Sequence, residues 1–296
     1  MRRSSALSTL ALLASLSLLA ACSRLDLAYR NLDWLLTWRA DQYLDLNRQQ
    51  KAWLRPRLQQ HRDWHCSAKM PQLAAWLEED GARLASGRLH DDALLQRLGQ
   101  LRQALDEVSL QVAPTAAGLL QQLSPQQVAQ LRQALAEENA ELHREFVEPP
   151  PAERLERRRE RMEERLQPWF GELDPAQRDL VARWAGQLEG QSALWLDSRE
   201  RWQAALLAAL EQPQGEDFAA RIEQLIAQRQ RYWSEDYRAA FARSERALAE
   251  LLGGLIASSS AQQRQRLQER LNELRADIAG LGCETATGAA VASRSD

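Results

Sequence analysis

The chain has 296 residues, of which 45% are hydrophobic and 27% are charged, and such a composition is typical of a folded globular protein. Its formal net charge is −3, and removal of residues 1–21, which carry two arginines and no acidic residue, changes that charge to −5. A surface that binds nucleic-acid phosphates normally has a basic excess, so we expect no nucleic-acid partner.

The amino terminus has the layout of a secretory signal peptide. Arg2 and Arg3 precede an uncharged stretch, residues 6–21, that is rich in Leu and Ala. A membrane-spanning helix needs about 20 predominantly apolar residues, and this stretch is shorter and contains several Ser and Thr residues. We therefore predict a signal peptide over residues 1–21.

The residues Leu19-Ala20-Ala21-Cys22 resemble the lipobox of bacterial lipoproteins. The resemblance implies cleavage before Cys22 and attachment of acyl chains such as palmitate to that cysteine, and several acyl chains hold a protein stably on a bilayer. Ser23 after the cysteine implies sorting to the outer membrane, with the protein on its periplasmic face. The alternative is an ordinary signal peptide followed by an unmodified Cys22.

Almost everything after residue 25 is predicted to be helical, because Ala, Leu, Gln, Glu and Arg dominate and no stretch alternates apolar and polar residues. The expected fold is all-α, an elongated bundle of about eight helices. The predicted segments are 26–40, 47–66 with a kink near Pro56, 71–86, 90–122 interrupted at Pro114, 124–147, 151–171, 174–211, 215–252 and 259–281.

One phrase recurs at predicted helix starts. Asn47, Ser124, Asp174 and Ser260 can each cap a helix with a side-chain oxygen, and a Gln follows each of them three residues later, which completes a capping box. The spacing between the phrases is unequal, so they do not indicate a regular solenoid.

Two cysteines remain besides Cys22. Cys66 and Cys283 are a possible disulfide in an oxidising compartment, and the bond would connect the carboxy-terminal helix to the early part of the chain. The alternative is two thiols without a role, since disulfide geometry cannot be deduced from sequence.

The segment 148–151, Glu-Pro-Pro-Pro, is predicted to be a non-helical hinge. It separates a lipid-anchored amino-terminal helical part, 22–147, from a carboxy-terminal helical part, 152–283. Residues 284–296 are small and polar and are expected to be a disordered tail.

A stripe of large apolar residues predicts a long antiparallel hairpin of the segments 174–211 and 215–252. Its members recur at heptad-like spacing, which indicates that they form a core: Val181, Trp184, Leu188, Trp195, Trp202 and Leu206. Trp34 and Trp38, one turn apart near Cys22, are expected to be core residues or, alternatively, to contact the membrane surface.

His61 and His65 lie one helical turn apart and are weak candidates for a metal site, because no third ligand follows at a known spacing. We therefore predict no metal and no cofactor. The sequence contains no GxSxG motif, no P-loop and no GxGxxG motif, so nothing in it indicates an enzyme.

The stretches TWRADQYLDLNRQQ (37–50) and DWHCSAKMPQLAAWL (63–77) resemble a family of uncharacterised proteobacterial lipoproteins known only as a domain of unknown function. The resemblance is carried by Trp38, Asp41, Tyr43, Leu44, Asp45, Leu46, Gln50, Trp64, His65 and Pro71, and Cys66 departs from it. It implies a secreted, lipid-anchored helical domain and gives no activity. Asp41, Asp45 and His65 would be its best candidate polar cluster if they converge; the alternative is capping and buried hydrogen bonds.

The recurring capping phrase is similar to the LTxxQ motif of small periplasmic chaperones of the Spy type, which are helical cradles that hold unfolded clients. None of the four phrases has Thr at the cap, and the phrase is also simply a good helix start.

We expect an envelope lipoprotein that is not an enzyme and whose helical body binds another protein, as an adaptor or assembly factor. The alternative is a membrane-tethered holdase chaperone. A metal-binding protein or enzyme comes third and would need a cleft that gathers Asp41, Asp45, His61 and His65.

Overall fold

The computed structural model describes residues 26–281 and residue 283, and within them every regular element is a helix. The described α-helices, which follow a helical turn at 26–30, are α1 (Leu32–Leu44), α2 (Arg48–Ala68), α3 (Met70–Ala85), α4 (Asp91–Leu120), α5 (Pro125–Phe146), α6 (Pro151–Phe170), α7 (Pro175–Gln187), α8 (Gln191–Leu210), α9 (Phe218–Ala227), α10 (Glu235–Ser258) and α11 (Ala261–Gly280). The all-α prediction is confirmed, whereas the predicted number of about eight helices was too low. The predicted signal peptide, Cys22 and the tail at 284–296 lie outside the described residues.

The long hairpin was predicted wrongly, because both of its helices are broken. The segment 174–211 divides into α7 and α8 at residues 188–190, where Gly190 adopts a left-handed backbone conformation with φ of 76°. The segment 215–252 divides into α9, a 3-10 helix at Arg229–Tyr232 and α10, with Trp233 in extended conformation between the last two.

The expected interruptions at Pro56 and Pro114 do not end their helices. Pro56 lies inside α2 and Pro114 lies inside α4, which continues for 30 residues. A proline inside a helix removes one backbone hydrogen bond. At Pro114 the neighbouring Ala113 and Ala117 are both buried, so tertiary packing holds the helix together across the proline.

Complete capping boxes are present at all four recurring phrases. Asn47, Ser124, Asp174 and Ser260 each accept from the backbone N–H three residues later, and the Gln side chain at that position accepts from the backbone N–H of the capping residue. The predicted starts of α2, α5, α7 and α11 are therefore confirmed.

The described residues form three apolar clusters, and each of them combines residues from before and after the Pro-rich segment. The first joins α2, α4 and α5 to α8 and α9; the second joins α3 to α6, α7, α10 and α11; the third places Met70 against Ile278 and Cys283. The two predicted helical parts thus share their cores.

The connection between α5 and α6 is non-helical at residues 147–150, whereas Pro151 is already the first residue of α6. The guanidinium of Arg154 donates to the carbonyl oxygens of Val147 and Pro149, at 3.0 and 2.6 Å. These bonds fasten the connection to the first turn of α6. Pro151 is tolerated there because the first turn of a helix needs no N–H from it.

Among helices within residues 26–281, none combines the length and the apolar character needed to cross a bilayer.

Candidate functional site

The two cysteines of the described chain are bonded to each other. Cys66, near the end of α2, and Cys283, after α11, form a disulfide with a Cα–Cα distance of 5.0 Å. The bond lies beside Met70 and Ile278 and connects positions 217 residues apart in sequence. It fastens the carboxy-terminal helix to α2 and α3.

Asp41, Asp45 and His65 do not converge. Asp41 lies at the junction of α1 and α2, where its carboxylate accepts from the backbone N–H of Leu46 at 2.8 Å and pairs with Lys51 at 2.7 Å. Asp45 ends α1 in a left-handed conformation. His65 lies at the other end of α2, about 25 Å away along the helix axis. The candidate polar cluster was therefore wrong, and the capping alternative describes Asp41.

His61 and His65 point to different partners. The Nε2 of His61 is 2.8 Å from the hydroxyl of Thr115, and the Nδ1 of His65 is 3.0 Å from the hydroxyl of Tyr29. Burial lowers the pKa of both imidazoles, and Lys69 lowers that of His65 further. Among the described residues, no three His, Cys, Asp or Glu side chains are arranged to hold a metal ion.

Sequence reasoning missed that the capping boxes meet in pairs. The side-chain amides of Gln50 and Gln127 donate to each other, at 3.1 and 2.8 Å. Gln177 and Gln263 do the same, at 3.0 and 2.9 Å. The starts of α2 and α5, and those of α7 and α11, are thereby joined. No local pattern predicts which phrases pair, because the partners lie about 80 residues apart.

A groove lies beside the middle of α4. Phe218 and Ile222 of α9 pack near the carboxyl end of α4, and Gly253 of α10 lies against its first residue, Asp91. Between these two contacts the α-helix is interrupted at residues 228–234, which contain only the short 3-10 helix. The middle of α4 is therefore left uncovered, and a groove of about 850 Å³ opens there.

The groove is predominantly apolar and aromatic. Trp233, Tyr237 and Phe241 form an aromatic cluster in which the Trp233 ring meets the other two rings at steep angles, with ring centroids 4.8 Å from Tyr237 and 4.9 Å from Phe241. Trp195 and Trp202 of α8 and Leu98, Leu101 and Leu105 of α4 complete the lining. Binding pockets are usually lined in this way, with a few polar groups that fix the orientation of the ligand.

The charged groups of the groove are mostly guanidinium groups. Arg102 of α4 pairs with Glu245 of α10, its Nη1 lying 2.6 and 2.5 Å from the two carboxylate oxygens. Arg199 of α8 pairs with Glu138 of α5. Arg229 is exposed and has no carboxylate within ion-pair distance in the described part of the chain. The lining therefore carries three arginines and one glutamate, although the chain as a whole is acidic.

Glu138 holds Arg199 at the groove. The carboxylate of Glu138 accepts from the hydroxyl of Tyr43 at 3.0 Å, and burial together with this hydrogen bond raises the pKa of Tyr43. The Nε of Arg199 donates to the side-chain oxygen of Asn139 at 3.0 Å. Arg199 is thus fixed in place by α5, and its charge is already compensated.

A smaller cavity of about 290 Å³ adjoins the groove on the other side of the aromatic cluster. Trp195, Tyr237 and Phe241 line both the groove and this cavity. Arg158 of α6 lines this cavity and donates to the carbonyl oxygen of Ala185 at 2.7 Å. Burial, followed by the nearby Arg161 and Arg154, lowers its pKa. A second guanidinium without an acidic partner at ion-pair distance, among the described residues, therefore lies close to the groove.

The sequence does carry a local signal for this site. Tyr237 and Phe241 are spaced by four residues, which places them on one face of a helix, and Trp233 directly precedes the capping residue Ser234. The predicted core stripe is only partly a core. Val181 and Leu206 are buried, and Trp184 and Trp202 pack against the apolar clusters. Trp195 and Trp202 also line the groove, and Leu188 lines the smaller cavity.

A comparison with family models places most of the chain in one family. The model described as "Family of unknown function (DUF6279)" matches residues 42–238, a range that includes most of the groove. No curated protein and no solved structure matches the chain.

Proposed function

Because the chain belongs to the DUF6279 family, whose function is unknown, we propose from the groove itself that the protein is a non-enzymatic interaction factor of the cell envelope. Its helical body binds a segment of another protein in the groove beside α4. The observation that carries the proposal is an open aromatic groove whose rim exposes Leu101 and Leu105 of α4.

The proposed cellular location is the periplasmic face of the outer membrane, with an acylated Cys22 as the anchor. The support is the lipobox-like sequence Leu19-Ala20-Ala21-Cys22 after a signal-peptide layout, with Ser23 in the following position. A disulfide between Cys66 and Cys283 agrees with an oxidising compartment.

The occupant that fits the groove is an amphipathic helix with apolar side chains and at least one carboxylate. The lining residues of α4 run from Leu98 to Ser109, which is about 17 Å along the helix, or three turns of a partner helix. Apolar side chains of the partner helix would enter between the aromatic cluster and α4, as in other helix-in-groove complexes. A carboxylate of the partner would meet Arg229, because that guanidinium has no acid of the described chain to pair with.

Site-specific photo-crosslinking in living cells tests the proposal, and α4 provides a matched pair of positions. Leu105 and Leu110 are 58% and 59% exposed, but only Leu105 lines the groove. A photoreactive residue at 105 is expected to yield one dominant protein adduct, which the same residue at 110 does not yield.

Other results would point to other functions. A spread of unrelated adducts at 105, together with suppression of aggregation of an unfolded client at near-stoichiometric amounts, would favour a tethered holdase. Equal adduct patterns from 105 and 110 would refute a role for the groove. A protein mass that shows no lipid on Cys22 would refute the lipid anchor. The crosslinks would then still decide whether the groove binds a partner.

A further inference from the structure

The amino-terminal half of α1 has the polarity opposite to that expected of a helix on a protein surface, whereas Leu44 at the other end of α1 is buried. The inward side of this half carries Asp33 and Thr37, which are only 5% and 7% exposed, whereas its outward side carries Trp34 and Trp38, which are 52% and 51% exposed. The prediction that these tryptophans belong to a core was therefore wrong. Large aromatic side chains in such positions usually have an apolar or amphipathic partner surface.

The inward polar side is fully engaged with the protein. Asp33 accepts from the side-chain amide of Gln59 at 3.1 Å and lies 3.8 and 3.9 Å from the guanidinium groups of Arg55 and Arg62. Thr37 donates to the carbonyl oxygen of Asp33 at 2.6 Å. These contacts fix the rotation of α1 about its axis and so keep the tryptophans on the outside.

The outward residues form one continuous face. Trp34 and Trp38 are four residues apart, which places them on one side of α1 with Leu35 beside them, and Leu27 lies in the helical turn that precedes α1. Leu27 is 64% exposed. Arg30 and Arg39 are exposed near the two ends of this face, although Arg30 pairs with Asp26 at 2.6 Å and Arg39 lies 3.8 Å from Glu138.

From this arrangement we infer that Leu27, Trp34, Leu35 and Trp38 form a membrane-contacting face that lays α1 on the lipid surface. The position of the face follows from the proposed anchor: Cys22 precedes Asp26 by four residues, which reach at most about 14 Å when fully extended. Trp side chains favour the membrane–water interface, and flanking arginines favour anionic headgroups. The face therefore fixes how the helical body, with its groove, is oriented above the bilayer.

Quenching by brominated lipid tests this inference on the full, processed protein. The protein is reconstituted into vesicles of phosphatidylethanolamine and phosphatidylglycerol, with or without bromine on the acyl chains, and its tryptophan emission is compared. Brominated chains are expected to quench the wild type. The Trp233→Phe variant, which lacks a groove tryptophan, is expected to lose the same amount of emission as the wild type. The Trp34→Phe/Trp38→Phe variant is expected to remain unquenched.

Equal quenching of the wild type and Trp34→Phe/Trp38→Phe would overturn the inference, and so would an unquenched wild type, which would indicate that a protein covers the face. The mass of the extracted protein reports the lipid on Cys22 separately. If Cys22 is unmodified, the proposed anchor fails, and the quenching measured with vesicles added in excess still decides whether the face contacts lipid.

Discussion

The side-chain amides of Gln50 and Gln127, 77 residues apart in sequence, donate hydrogen bonds to each other while each also completes the capping box of its own helix. The Nε2 of Gln127 also lies 2.9 and 3.0 Å from the carbonyl oxygens of Leu44 and Asp45, so its two hydrogens are shared among these oxygens and the side-chain oxygen of Gln50. One buried amide thus joins the end of α1 to the starts of α2 and α5. The recurring phrase is therefore a tertiary contact as well as a helix start.

Loss of this amide is expected to be costly. Gln127→Ala removes both hydrogen bonds between the two amides, so the buried Gln50 keeps only Gln122 and Asn47 as partners, and it removes the side-chain donor of two backbone carbonyl groups. We therefore expect a loss of about 2–3 kcal/mol in the free energy of unfolding, measured by urea denaturation. The control is Gln126→Ala, which changes an exposed neighbour and is expected to stay within about 0.5 kcal/mol of the wild type. Strict additivity of Gln50→Ala and Gln127→Ala in a double-mutant cycle would contradict the pairing.

Two glycines of α4 are expected to respond oppositely to the same substitution. An added Cβ at Gly99 meets nothing within 4 Å, so Gly99→Ala is expected to raise the free energy of unfolding by up to about 1 kcal/mol through helix propensity. A Cβ at Gly118 would lie 2.9 Å from the Trp53 ring. Gly118→Ala is therefore expected to lower the free energy of unfolding by about 1–3 kcal/mol through overpacking. Stabilisation by both substitutions would show that α2 and α4 are not so closely packed.

The disulfide is expected to be a major contributor to stability. It closes a loop between positions 217 residues apart, and reduction is therefore expected to lower the free energy of unfolding by about 2–5 kcal/mol. The measurement is chemical denaturation of the wild type and of Cys66→Ser/Cys283→Ser, each with and without reductant. Only the wild type is expected to respond, and an unchanged wild type would show that the bond contributes little.

Stability is expected to fall as the solution becomes mildly acidic. Burial lowers the pKa of His61 and His65 below 6.5, so in the native state these imidazoles are neutral at pH values where the unfolded chain already binds protons. The stabilisation is present above pH 6.5 and is lost as the pH falls from there toward the lowered pKa values. Denaturation at pH 7.5 and 5.5 measures this loss. The loss of stability between pH 7.5 and 5.5 is expected to be smaller in His65→Gln than in the wild type. An equal loss in both would indicate that His65 is solvated.

The local part of the fold was predictable from the sequence, and the tertiary part was not. The capping boxes at Asn47, Ser124, Asp174 and Ser260 depend on residues three apart, so the sequence identifies them directly. Pro114 was overestimated as a helix breaker, because burial of its neighbours keeps α4 continuous.

The candidate site escaped prediction for a related reason. The break at residues 228–234 and the uncovered middle of α4 depend on how α9 and α10 pack at its two ends, and no residue pattern encodes that arrangement. The outward position of Trp34 and Trp38 depends likewise on the buried contacts of Asp33. Apolar periodicity therefore indicated which faces are apolar but not what covers them.

The most direct test of the groove as the protein-binding site places a photoreactive residue on one wall and a charge on the other. Gln230 lines the groove opposite Leu105, and the adduct formed from position 230 is measured in the wild-type, Leu105→Glu and Leu110→Glu backgrounds. Because the proposed partner has apolar and acidic groups, its adduct is expected to disappear in the Leu105→Glu background and to remain in the Leu110→Glu background. Equal retention of the adduct in both backgrounds would contradict binding in the groove.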